Sequence, residues 1–158
     1  MKKFFSLFVG FLFFGIATFL IVAPAIVDDG ANVVVAHQPY EISERAAALH
    51  SSLLVGDWHA DSLLWMRDLT EQYDYGHLDF PRMQQGNMAL QMFTTVTKSP
   101  SGQNYKRNSS DASDNITLLA MTQRWPVATW TSLAERALFQ ADKLHELADR
   151  DPENLMLI

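Results

Sequence analysis

The pattern of hydrophobic and polar residues divides the chain into an apolar N-terminal segment and a longer part of mixed composition. Residues 4–27 contain no charged side chain, whereas charged residues recur throughout residues 28–158. A helix of that length rises roughly 36 Å, which exceeds the roughly 30 Å hydrocarbon core of a bilayer. We therefore expect a membrane anchor or signal segment over residues 1–27, a linker over residues 28–40 and a globular part over residues 41–158.

Helical periodicity is present in three stretches of the globular part. Apolar residues at intervals of three and four predict helices over residues 41–52, 111–125 and 132–151. The third helix is opened by Ser132-Leu133-Ala134-Glu135, which has the sequence of a capping box. We expect its buried face to consist of Leu133, Ala137, Ala141, Leu144 and Ala148.

Two strands and the beginning of a third are expected between these helices. Apolar runs rich in β-branched residues predict strands over residues 53–61 and 88–96, with a short helical turn between Asp79 and Gly86. The apolar residues 155–158 follow a helix and a turn, which is typical of the beginning of a buried parallel strand. Alternating helices and strands predict an α/β fold with a parallel sheet. Since natural chains rarely end inside such a strand, we expect the sequence to be cut short.

The flanks of the apolar segment predict its orientation. Lys2 and Lys3 precede it and Asp28 and Asp29 follow it, which favours a cytoplasmic N-terminus and a periplasmic or extracellular globular part. The alternative is a cleaved signal peptide, because Ala23-Pro24-Ala25 places small residues at the spacing of a cleavage site. The apolar run is longer than the core of an ordinary signal peptide, so we favour an uncleaved anchor. Under both alternatives the globular part is exported.

The exported part is acidic and lacks cysteine. All 18 acidic residues but only 10 of the 12 basic residues follow residue 27, which gives this part an excess of eight negative charges. Such a charge argues against nucleic acid or anionic lipid as a partner. The absence of cysteine excludes disulfide bonds and thiolate metal sites.

The strongest candidate for chemistry is the polar end of the first predicted strand. His59 and Asp61 are two residues apart, so in a strand both side chains project from the same face. An imidazole nitrogen and a carboxylate oxygen held together are two ligands for a divalent metal such as zinc. The alternative is a polar strand end that faces water. His77 and Asp79 have the same spacing, but they follow a polar loop and precede Pro81, which favours roles in a turn and in helix capping.

Three ordered blocks of sequence resemble those of a known family. They are Asp57-Trp58-His59-Ala60-Asp61, Asp79-Phe80-Pro81-Arg82-Met83 with Gly86, and Ala89-Leu90-Gln91-Met92-Phe93. In this order they closely resemble the membrane dipeptidase (renal dipeptidase) family of zinc peptidases, and the resemblance extends over residues 49–158. The chain has Trp58 and Ala60 where many members have glycine and asparagine, but neither position supplies a metal ligand.

The resemblance implies a fold and an activity. The fold is a (β/α)₈ barrel of the TIM type, of which residues 41–158 would be the N-terminal part, with two zinc ions at its C-terminal mouth. His59 and Asp61 would bind one zinc ion, while a bridging glutamate, two histidines and a catalytic aspartate are expected beyond Ile158. Glu153 precedes the third strand and does not match the bridging glutamate. The implied activity is hydrolysis of dipeptides by a metal-activated water in the full-length protein, and the 158-residue chain alone is expected to be inactive.

Two alternatives to a dipeptidase stay open at the level of sequence. The chain is then either a membrane-tethered module without catalytic activity or another metal-dependent amidohydrolase built on the same barrel. A downstream strand with a glutamate and later histidines would favour an enzyme over the module. Activity on lactones and cyclic amides, tested beside dipeptides, would distinguish the amidohydrolase.

Overall fold

The fold is seen in a computed structural model that describes residues 2–107 and 109–158, with side chains from residue 4 onward. These residues form one long apolar N-terminal helix, four shorter α-helices and a small parallel sheet. The mixed helix and strand content agrees with the predicted α/β class. The side chains of Lys2 and Lys3, on which the predicted orientation rests, lie outside the described part.

The N-terminal helix, α1, spans Lys2–Ala31 and continues through Pro24. Its stretch Phe4–Ala31 is long and apolar enough to cross a membrane, although a signal sequence passes the same test of length and composition. The helix extends beyond the expected end of the apolar segment at residue 27. Its last backbone hydrogen bond runs from the amide of Asn32 to the carbonyl of Asp28, at 2.9 Å. The first residues of the expected linker are therefore helical.

The four shorter helices each begin at a side chain that caps the backbone. They are α2 (Glu44–Ser52), α3 (Phe80–Gln85), α4 (Asn115–Thr122) and α5 (Leu133–Arg150). Their caps accept backbone N–H groups that have no partner within the helix, and they are Ser43, Asp79, Asp114 and Ser132. The N-cap predicted at Ser132 is confirmed, with its Oγ 3.2 Å from the amide nitrogen of Glu135. Helix α4 begins later than the predicted residue 111 because Asp114 is its cap.

The sheet consists of two parallel strands, β1 (Val55–Ala60) and β2 (Met88–Phe93). Both lie inside the predicted strands, and their parallel direction agrees with the prediction. The third strand expected at residues 155–158 is not formed: these residues make no ladder with β2, although they lie beside it and line an apolar groove of about 570 Å³. A segment becomes a strand only when its N–H and C=O groups pair with a neighbour. The described residues therefore form a two-stranded sheet and not a closed barrel.

Two clusters of buried apolar side chains pack the helices together, and the first of them also contacts the sheet. The first cluster contains Leu63, Leu69, Phe80 and Leu147, with Phe93 of β2 packed against it. The second contains Leu64, Ile116, Ala120 and Trp125. Leu63 and Leu64 are adjacent in the short 3-10 helix Ser62–Leu64 that follows β1. This short helix therefore connects the two clusters directly behind the end of β1.

The buried face of α5 is only partly the predicted one. Its buried residues are Arg136, Gln140, Leu147 and Ala148. Of the five predicted residues, Ala148 is buried, whereas Leu133 is 48% exposed. Gln140 is buried because it pairs with Val96 beyond β2, accepting a hydrogen bond from its amide at 3.1 Å and donating one to its carbonyl at 3.2 Å. The periodicity of apolar residues missed this face because two of its members are polar.

Candidate metal centre

The residues predicted to bind a metal lie at the carboxyl edge of the sheet. His59 is the last residue but one of β1, Asp61 follows that strand, and Thr94 directly follows β2. The carboxyl ends of parallel strands meet at one edge, where α/β proteins place their ligand-binding and catalytic groups. Polar side chains from both strands are therefore brought to one place.

The side chains of His59 and Asp61 contact each other. His59 Nε2 lies 3.2 Å from Asp61 Oδ2, and the two side chains are 69% and 42% exposed. Strand alternation alone does not produce this contact, because β1 contains a bulge: Asp57 and Ala60, three residues apart, pair with residues of β2 that are two apart. Asp61 itself lies in the turn after the strand. The predicted proximity is present, and the bulge and the turn are its structural cause.

Thr94 holds the carboxylate of Asp61 in position. The amide of Thr94 donates to the carbonyl of Ala60 at 3.0 Å, which fixes the backbone between the two strand ends. The Thr94 hydroxyl is within hydrogen-bond distance of both Asp61 Oδ1 and the same carbonyl oxygen. A hydroxyl group has one proton, so it donates to one of these oxygens at a time. With Oδ1 next to Thr94, Oδ2 is the carboxylate oxygen that faces His59.

Asp57 is held apart from the pair by the neighbouring strand. Its Oδ2 accepts a hydrogen bond from Gln91 Nε2 at 3.0 Å, and its Oδ1 lies 3.4 Å from the backbone nitrogen of His59. Because both carboxylate oxygens have partners, Asp57 supports the bulged backbone beneath His59. It does not form a third ligand with His59 and Asp61 in the described part of the chain.

Asp79 of the second His-x-Asp pair has a structural role. Asp79 is fully buried, and its carboxylate accepts hydrogen bonds from the amides of Arg82 at 2.9 Å and Tyr73 at 3.3 Å. The guanidinium group of Arg82 pairs with the same carboxylate at 2.7 Å. His77 is exposed. The capping role predicted for Asp79 is confirmed.

The donor atoms of His59 and Asp61 fit two positions of a zinc coordination sphere. Bonds of about 2.0–2.1 Å at a tetrahedral angle place two donor atoms about 3.3 Å apart. The observed distance of 3.2 Å agrees with this spacing. Within residues 2–107 and 109–158, no group of three or more His, Cys, Asp or Glu side chains is arranged to hold a metal ion. Since a zinc site has at least three protein ligands, the described residues do not make a complete zinc site by themselves.

Sequence reasoning gave no role in this region to Thr94 or to Gln91, although Gln91 belongs to the third block of the family resemblance. Both belong to the second strand or the residue that follows it, and each contacts a carboxylate of the first strand region. Thr94 lies inside the strand predicted over residues 88–96, whereas the observed β2 ends at Phe93, so the sequence did not reveal its place at the strand end. The register that pairs Asp57 with Gln91 cannot be predicted from the sequence of either strand alone.

Comparison of this chain with protein-family models, with curated proteins and with solved structures finds no match in any of the three. The candidate centre is therefore supported by its geometry and by the chemistry of its donor atoms. That geometry consists of an imidazole and a carboxylate in contact, a threonine that orients the carboxylate, and a sheet edge that is open to solvent.

Proposed function

We propose that this chain is part of a membrane-anchored, zinc-dependent dipeptidase in which His59 and Asp61 are two of the metal ligands. The observation that supports the proposal most directly is the 3.2 Å contact between His59 Nε2 and Asp61 Oδ2 at the carboxyl edge of two parallel strands. The three blocks that resemble the membrane dipeptidase family put both residues at that family's metal-binding positions. In this proposal the sheet begins a (β/α)₈ barrel, and the remaining ligands lie beyond Ile158.

Each side chain of the centre has a defined task in the proposed reaction. His59 Nε2 and Asp61 Oδ2 would hold the metal ion, and Thr94 restrains Asp61 Oδ1. When bound, two zinc ions supply a water that is nucleophilic at neutral pH and polarise the scissile carbonyl of a dipeptide. The excess negative charge of the globular part does not oppose this chemistry, because bound metal ions dominate the local field.

The apolar helix α1 supports the membrane part of the proposal. Large apolar side chains between Phe4 and Val22 are exposed, and such a surface needs a bilayer or another apolar partner. The proposal is an uncleaved anchor with a cytoplasmic N-terminus and a periplasmic or extracellular globular part. Its support is the length of the apolar run and the lysines that precede it.

The proposed activity is tested with a panel of dipeptides, lactones and cyclic amides in the presence of added zinc. Two proteins are compared: the 158-residue chain and the product of the gene read past codon 158. We expect the first to release no amino acids, because two protein ligands do not make a catalytic zinc site. We expect the second to hydrolyse dipeptides and to lose this activity on the substitution His59→Ala. Hydrolysis of dipeptides that is unchanged by His59→Ala would contradict the proposal.

A membrane-tethered module without catalytic activity is the second candidate. Two observations favour it: the described residues offer no third metal ligand, and their apolar groove beside β2 has a volume of about 570 Å³. A stop codon directly after Ile158 and no zinc-dependent hydrolysis by any form of the protein would favour this module. Activity on lactones or cyclic amides without activity on dipeptides would instead favour another metal-dependent amidohydrolase.

A further inference from the structure

The C-terminal end of α1 is packed into the globular part through a buried ion pair. Arg67 Nε lies 3.0 Å from Asp28 Oδ2, and the two side chains are only 1% and 2% exposed. The Nε–H of Arg67 makes no hydrogen bond, so its contact with Asp28 is an ion pair, while Nη1 donates to the carbonyl of Tyr75 at 3.4 Å. The guanidinium group also lies over the ring of Tyr75, 5.7 Å from its centroid. A buried pair of this kind tolerates little change in geometry, so it fixes the end of α1 on the loop that follows β1.

Two hydrogen bonds on either side of the ion pair complete this attachment. Gln123 Nε2 donates to the carbonyl of Pro24 at 3.0 Å in a buried environment. The amide of Gly76 donates to the carbonyl of Asn32 at 2.9 Å. Gln123 is the C-cap residue of α4, and α4 packs against α1. The last two turns of α1 therefore contact the globular part directly.

The attachment lies at the level where α1 would leave the hydrocarbon of a bilayer. A helix rises roughly 30 Å between Phe4 and Pro24, which is the thickness of the hydrocarbon core. With the N-terminus of the apolar run at one boundary, Pro24 lies at the other. Gln123, which contacts Pro24, then lies at the same boundary.

Helix α4 carries exposed apolar side chains close to this boundary. Leu118 is 67% exposed and Met121 is 37% exposed, and the two are three residues apart on one side of the helix. Five helical residues rise about 8 Å, so Leu118 lies within that distance of Gln123 whichever way α4 points. The headgroup region adds roughly 5–8 Å on each side of the hydrocarbon core. Both side chains are therefore within reach of the interfacial zone.

We propose that the globular part rests directly on the bilayer, with Leu118 and Met121 inserted into the interfacial zone. This inference rests on the membrane anchor proposed above and adds an interaction surface to it. The partner is a zwitterionic phospholipid surface, because the exported part has an excess of eight negative charges that disfavours anionic lipid. Insertion buries apolar surface that would otherwise face water, as in helices that lie on membranes.

The surface can be mapped with single cysteine labels, since the chain contains no cysteine of its own. The full chain is reconstituted in phosphatidylcholine vesicles with a fluorophore at Leu118→Cys or Met121→Cys, and quenching by nitroxide-labelled lipid is measured. A label at Leu12→Cys, in the centre of the apolar run, reports whether α1 is in the bilayer. These labels replace side chains that are outside the candidate metal centre.

Helix α2 provides a matched control at Leu49. This leucine is also on a helix and is 59% exposed, so it has a similar tendency to bind apolar surfaces. The end of α2 lies at the amino edge of the sheet, where Asn87 Nδ2 donates to the carbonyl of His50 at 2.8 Å. Helix α1, in contrast, is attached to the loop that leaves the carboxyl edge. A label at Leu49→Cys should therefore remain in water.

The result expected is strong quenching at residues 12, 118 and 121, with the labels on α4 quenched at least about twofold more than the label at Leu49→Cys. Quenching at residue 12 but not at residues 118 and 121 would overturn the inference and leave the anchor in place. Equal quenching at residues 49 and 118 would also overturn it, because the contact would not be specific to α4. The absence of quenching at residue 12 would overturn the anchor and the inference together.

Discussion

Replacing Arg136 with methionine should destabilise the globular part far more than the same replacement of Arg150, although both arginines lie on α5 and pair with an aspartate. Arg136 is 1% exposed, and each of its five N–H groups has a partner. These partners are the carbonyls of Thr97, Thr129 and Trp130, the hydroxyl of Thr117 and the carboxylate of Asp114. Arg150 pairs with Asp68 at 2.6 Å, with side chains that are 52% and 33% exposed.

The size of the difference follows from what each substitution leaves behind. Arg136→Met removes the cationic partner of a partly buried carboxylate and one hydrogen-bond donor from each of three carbonyl groups, a loss that typically costs about 3–5 kcal/mol. Arg150→Met breaks a solvent-exposed pair, which typically costs about 0–1 kcal/mol. Domains of this size are stable by about 5–15 kcal/mol, so the first loss removes a large part of the total. Methionine keeps a side chain of similar length in both cases, which limits the effect of packing.

The assay is urea unfolding of the full chain in a nonionic detergent, followed by tryptophan fluorescence. Trp125 is 3% exposed and belongs to the second apolar cluster, so its emission reports the packing of the globular part. We expect the urea midpoint of Arg136→Met to fall far below that of Arg150→Met at an unchanged slope. Equal midpoints for the two variants would refute the reasoning, because the burial of the donors would then have no energetic consequence.

Two further predictions concern pH and glycine, and the same assay tests both. Burial alone would raise the pKa of Asp114, but hydrogen bonds from Arg136 and from two backbone amides outweigh it and lower this pKa to about 2. The pKa of an aspartate in the unfolded chain is about 3.9, so Asp114 stabilises the fold by about 2 kcal/mol above pH 4. This stabilisation disappears as the pH falls towards 2. The variant Asp114→Asn should lack that part of the pH dependence of stability. Gly76→Ala should destabilise the fold more than Gly102→Ala. Both glycines have positive φ (77° and 71°), so both substitutions strain the backbone. They differ because a Cβ at Gly76 would clash with Nη1 of Arg67, whereas a Cβ at Gly102 meets no atom within 4 Å. Equal losses for the two glycine variants would show that the clash with Arg67 is relieved without cost.

Local chemistry made the helix starts partly predictable from the sequence. The caps at Ser132 and Asp79 follow from one side chain and the amide three residues later, so no distant residue is needed to identify them. The start of α4 was predicted wrongly, because aspartates at 111 and 114 both suit a cap and the choice depends on Arg136. Burial of Asp28 likewise depends on Arg67, a partner that local sequence does not reveal.

The candidate centre could be predicted only as far as a single strand determines it. The spacing of His59 and Asp61 predicted that their side chains lie together, and they do, but the bulge in β1 and the turn at Asp61 bring them together rather than strand alternation alone. The bulge in β1 directs His59, and the hydroxyl of Thr94 holds Asp61. Both features depend on the register between β1 and β2. Register is set by packing and hydrogen bonding across the two strands, so neither strand alone contains it. The predicted third strand likewise depended on pairing with a neighbouring strand. Residues 155–158 form no such pairing with β2.

The most direct test of the proposed metal centre is a zinc titration of the full chain, followed by NMR of the imidazole resonances of its five histidines. We expect the resonances of His59 to shift at the lowest zinc concentration, and Asp61→Ala to raise that concentration by about tenfold through the loss of one ligand. His77, which has the same spacing to an aspartate that caps a helix, is the internal control and should respond only at higher zinc. If His59 responded no earlier than His77, or if Asp61→Ala changed nothing, the two residues would not form a metal half-site and the proposed dipeptidase function would lose its support.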